Sequence, residues 1–166
     1  MKRIATRKIE FETFETAQGG LSVHGRLHDN RFNPFIGYTG ERYPAGYLHD
    51  LRVVIEISLP DMTITGISVS FNRAPMENCP EIAEAYQGLV GIQVGPGYTR
   101  EVLSRLGGSK GCAHLTHLII AMGPAIVQGA FAYYSRIRSD ESIGEPLGRM
   151  NDFIHDSCHV WKGESC

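Results

Sequence analysis

The chain has 166 residues, 42% of them hydrophobic and 20% charged, with a net charge of −2. That length suits one compact domain, residues 1–166, with a buried core, and the composition is that of an ordinary soluble globule. The near-neutral balance offers no basic face for nucleic acid, and no apolar run approaches the roughly 20 residues needed to cross a membrane.

The N-terminus lacks the apolar core of a signal peptide, so a cytoplasmic protein is expected. There, the four cysteines read as reduced thiols or metal ligands rather than disulfides.

In chain order, residues 1–28 read as strands, Lys8–Thr16 and Leu21–Leu27, turning at Gly19-Gly20. Residues 29–47 carry Asn30, Asn33, Pro34, Gly37, Gly40, Pro44 and Gly46, which predicts a long loop. Leu51–Leu59 and Thr63–Asn72 are β-rich runs joined by Pro60-Asp61-Met62, a hairpin. Short helices are expected over Glu77–Tyr86, with Pro80 in the first turn, and over Thr99–Leu106, with Thr99 as N-cap. Apolar residues at helical spacing predict a long helix from Cys112 to about Arg138, with a kink at Gly123-Pro124 near Met122. The tail, 139–166, ends in Phe153, Ile154, Cys158, Val160 and Trp161 and reads as a docking segment.

The chemistry concentrates at Gly111-Cys112-Ala113-His114-Leu115, where a glycine-rich approach becomes a helix. Unpaired N–H groups and the macrodipole at a helix start favour an anion, which biases the Cys112 thiol toward thiolate. His49 and Asp50 enter the hairpin, and Cys79 lies in the turn that leaves it. If the open end of the hairpin packs on the helix start, His49, Asp50, Cys79 and Cys112 form a ligand set for zinc or iron, with His114 as a further candidate.

The alternative from the same residues is a metal-free thiol enzyme acting on a small molecule, with Cys112 as nucleophile and a histidine, His114 or His49, as base. The aromatic residues Phe32, Phe35, Tyr38, Tyr43 and Tyr47 of the predicted loop would then wall its pocket. A third reading is a module that carries sulfur or metal between proteins.

Two resemblances rest on these motifs. Leu48-His49-Asp50, Ala74-Pro75 with Cys79-Pro80, Gly107-Gly108 with Gly111-Cys112-Ala113-His114-Leu115, and Cys158 together resemble a bacterial domain-of-unknown-function family marked by Gly-Cys-Thr-His-Leu. This chain has Ala113 at the threonine. The order of elements from Asp50 to Tyr134 is similar to the scaffold proteins of iron–sulfur cluster assembly. By position that resemblance implies Asp50, Cys79 and Cys112 as ligands, while the first scaffold cysteine falls near Leu48 and the scaffold histidine on Gly111. The fold it implies is α+β: an antiparallel sheet packed against C-terminal helices, with a scaffold-like core over 48–138.

Overall fold

The computed structural model describes residues 1–37, 39–137, 156, 159, 162 and 163. Four strands form one antiparallel sheet in the order β1-β2-β5-β6: β1 (Ala5–Glu15), β2 (Leu21–Arg31), β5 (Gly46–Ser58) and β6 (Thr63–Arg73). Between β2 and β5 a short ribbon of β3 (Phe35–Ile36) and β4 (Arg42–Tyr43) forms a separate two-stranded sheet. A 3₁₀ segment (Cys79–Leu89), helix α1 (Tyr98–Leu106) and helix α2 (Ala113–Ile137) follow. The α+β class read from the sequence is the class observed.

Alternation builds the sheet. Leu21, Val23 and Leu27 on β2, and Leu51, Val53, Ile55 and Ile57 on β5, are buried on one face. Their intervening neighbours, such as Arg26, Arg52 and Glu56, stand on the other. Against the apolar face lies α2, whose Leu115, Leu118, Ile119, Met122, Ile126, Ala130 and Tyr134 recur at helical spacing and are all buried. The helix comes close to β2 because Gly25 has no side chain: a Cβ there would stand 2.8 Å from Met122 Sδ.

Several boundaries differ from the sequence expectation. About half of the predicted 29–47 loop is strand, since β2 runs on to Arg31, β3 and β4 form a ribbon and β5 begins at Gly46. Asp29 and Asn30 are turn-forming residues, yet cross-strand pairing holds them extended, an instance of tertiary context overriding propensity. The helix expected at 77–86 is 3₁₀ over Cys79–Leu89, and Gly97, at φ 90°, caps α1 where Thr99 was expected. The left-handed φ excludes most other residues at that cap.

The membrane expectation also needs correction. Ala113–Ile137 is long and apolar enough, by length and composition, to cross a membrane. Its apolar stripe is buried against the sheet. Arg138 and the docking tail predicted for 139–166, including Cys158, Val160 and Trp161, lie outside the described residues, positions 156, 159, 162 and 163 apart.

Candidate metal centre

One row crosses the sheet. Register places Arg7 of β1 beside Asp29 of β2, and Asp29 beside His49 of β5, all on the face that α2 covers. Continuing the inward series Leu21, Val23, Gly25, Leu27 by two residues brings Asp29 to that face, where it is 1% exposed. His49 is 6% exposed. The first turn of α2 then carries His114 over His49, with ring centroids 4.0 Å apart.

A buried carboxylate is costly unless paired and hydrogen-bonded. Arg7 donates to Asp29 through Nε at 2.7 Å and through Nη2 at 2.6 Å, a two-pronged contact. His49 Nδ1 lies 3.1 Å from Asp29 Oδ2. Burial pushes the Asp29 carboxyl up, but the Arg7 hydrogen bonds, the Arg7 charge and the two imidazoles together hold it below its ordinary value. For His49, burial and then the neighbouring His114 lower the pKa and outweigh the attraction of Asp29. The imidazole is thereby kept neutral. A neutral ring keeps one nitrogen lone pair, the state a metal ligand needs.

One ligand atom from each of Asp29, His49 and His114 lies within 4.8 Å of the others, a spacing that can hold a metal ion. Beside this group stands Cys112, its Sγ 3.9 Å from His114 Nδ1. Burial raises the Cys112 pKa, but the His114 side chain and the backbone N–H groups of Leu115 and His114 bring it below the usual thiol value. Tyr86, fully buried, fixes this turn: its hydroxyl accepts from Cys112 N–H at 2.9 Å and donates to the Cys112 carbonyl at 3.2 Å.

The residues singled out from sequence are thus divided. His49 and His114 meet, and Cys112 adjoins them. Asp50, next to His49 on a strand, necessarily points to the opposite face. It accepts there from Arg26 at 3.0 and 2.9 Å and from Asn72 at 3.3 Å. His28 Nε2 is 3.0 Å from Asp50 Oδ1 but lacks the alignment of a hydrogen bond. Arg26 is the main reason the Asp50 carboxyl falls to about 2. Cys79 opens the 3₁₀ segment as a half-buried thiol outside the Asp29–His49–His114 group. The expected convergence of Asp50, Cys79 and Cys112 is therefore replaced by a group containing Asp29, and sequence reasoning overlooked both Asp29 and Arg7. The signal available was the period-two series leading into Asp29.

A family profile described as "Protein of unknown function (DUF2889)" matches residues 5–128. The chain belongs to that family, in keeping with the expected uncharacterised domain. The matched span includes Arg7, Asp29, His49, Cys112 and His114. No curated protein and no solved structure matches the chain.

Proposed function

We propose that this member of the DUF2889 family is a metal-binding protein whose centre is Asp29, His49 and His114, with zinc or iron as the ion. The observation that carries this reading is the approach of one carboxylate and two imidazoles to within 4.8 Å, two of the three residues being buried. A carboxylate offers about four lone-pair sites. Arg7 uses two, and an ion ligated by Asp29 Oδ2 and His49 Nδ1, 3.1 Å apart, would replace the hydrogen bond between those atoms. Two histidines and a carboxylate suit a ferrous ion or zinc, and three protein ligands leave open positions for water or substrate. At such a position a small molecule would be polarised, or a bound water activated. Asp50 takes no part. The centre is mononuclear, and cluster assembly is not part of the reading.

Calorimetric titration of the chelator-stripped full-length chain with zinc and with ferrous iron under argon tests it. We expect one ion per chain for wild type and no measurable binding for His49→Ala or His114→Ala. Arg7→Gln, which removes a partner of the carboxylate ligand, should weaken affinity by about 10- to 100-fold. Wild-type affinity retained by both histidine variants would overturn the assignment.

A second reading has its own observation: the acidified Cys112 thiol 3.9 Å from His114. In that case Cys112 is the nucleophile of a metal-free thiol enzyme for a small molecule, and His114 its base. Alkylation of Cys112 by iodoacetamide in stripped and metal-loaded protein separates the two. A rate slowed by metal fits the metal centre; a fast rate unaffected by saturating metal fits the thiol enzyme.

A further inference from the structure

The two edges of the sheet are treated differently. At the β6 edge, Ile64 exchanges backbone hydrogen bonds with Ile92 and Gly91 at 2.9 and 2.8 Å, and Gln87 Nε2 donates to the Ile67 carbonyl at 2.7 Å. At the other edge, β1 is an 11-residue strand with no proline and no bulge, and no strand pairs with its outer side among the described residues. An edge of that length is a ready template for another strand. It also exposes large apolar side chains: Ile4 at 71%, Ile9 at 42% and Phe14 at 46%.

We infer that β1 is a homodimer interface, pairing antiparallel with β1 of a second copy so that two four-stranded sheets become one continuous sheet. A twofold axis normal to the sheet keeps residues of like parity opposite each other, so only a few registers are available. With the axis at Ile9, Lys8 faces Glu10 of the second copy, Ile4 faces Phe14, Thr6 faces Glu12, Arg7 faces Phe11, and Ile9 faces itself. Every large exposed apolar residue of this edge then meets another, and Lys8 and Glu10 pair twice by symmetry. Moving the axis by one residue toward the N-terminus sets Lys8 against Lys8; moving it one residue the other way sets Glu10 against Glu10. Like charges directly opposite are destabilising, whereas opposite charges stabilise. The charge order of this strand therefore favours the Ile9 register over its two neighbours. Ile4 is positioned to take part because its carbonyl already accepts from Phe32 N–H at 3.0 Å, extending the β1–β2 ladder past Ala5.

Light scattering and sedimentation of the full-length chain at micromolar concentration test the proposal. Wild type should show twice the monomer mass. Lys8→Glu and Glu10→Lys, both at exposed positions, should each raise the dissociation constant about tenfold or more, because each replaces two attractive pairs by two repulsive ones. The double reversal, Lys8→Glu with Glu10→Lys, should return it to within about threefold of wild type. Far-UV circular dichroism establishes that each variant is folded. Ile9→Cys, on the axis, should cross-link to itself on oxidation, giving a peptide pair joined at residue 9 in mass spectrometry. A monomeric wild type, a dimer indifferent to both reversals, or a dimer without the residue 9 cross-link would each overturn it.

Discussion

Asp29 and Asp50 show how one chemical group takes opposite parts according to the face on which its strand places it. Asp29 is buried among Arg7, His49 and His114, a setting that keeps it ionised and within reach of a cation. Asp50 sits on the outer face, its oxygens occupied by Arg26 and Asn72. Its role there is structural, and it has a pH signature. Since its folded pKa of about 2 lies below the ordinary 3.8, its contribution to stability is fully present above about pH 4 and is lost as pH falls toward 2. Asp50→Asn should make stability less steep over that window while leaving metal binding near neutrality unchanged. Denaturant midpoints at about pH 5 and about pH 2.5 check this, and identical slopes for wild type and variant would count against it.

Legibility at this scale followed residue type. His49, Cys112 and His114 stood out because imidazoles and a helix-start thiol carry chemistry in themselves. Asp29 did not, because beside Asn30, Asn33 and Pro34 an aspartate reads as turn material. Its burial depends on pairing with strands from distant parts of the chain. Asp50 reads as a ligand from its place at the hairpin entrance and from the scaffold resemblance, neither of which takes account of adjacent strand residues facing apart.

Among the elements, the position of α2 does most to shape the centre, because its first turn supplies His114. Gly123 lies against the Tyr98 ring, where an added Cβ would stand 2.9 Å from both Cδ1 and Cε1. That ring cannot move aside freely, since Tyr98 is buried and its hydroxyl donates to the Ile119 carbonyl at 3.1 Å. Gly123→Ala should therefore cost about 1–3 kcal/mol through overpacking. As a contrast, Gly66→Ala on β6 would bring its methyl to 3.5 Å from Glu56 Cγ, an ordinary contact, and should leave the melting temperature nearly unchanged. Equal losses for the two variants, measured by thermal denaturation, would refute the packing assignment.

The elements themselves were legible wherever the period was strong. The β5–β6 hairpin and α2 follow the alternation and the helical stripe of the sequence closely. The segment between β2 and β5 was not, because glycine, proline and asparagine signal turns locally while register with β1 and β5 extends the strands from either side. The 3₁₀ form of Cys79–Leu89 likewise has no clear signature in a pattern that fits a short helix equally well.

For the whole molecule, the four-stranded sheet divides the chemistry between its two faces. One face carries the core and, where the core ends toward the start of α2, the Asp29–His49–His114 group; the other carries the charged rows around Arg26 and Asp50. That division makes the centre depend on a carboxylate from β2, an imidazole from β5 and another from α2. The most direct test is X-ray absorption at the zinc edge of the full-length chain loaded with one equivalent of zinc. The account predicts a first shell of nitrogen and oxygen with the multiple-scattering pattern of two imidazoles, reduced to one in His114→Ala. A shell dominated by sulfur, or an imidazole pattern unchanged in that variant, would contradict it.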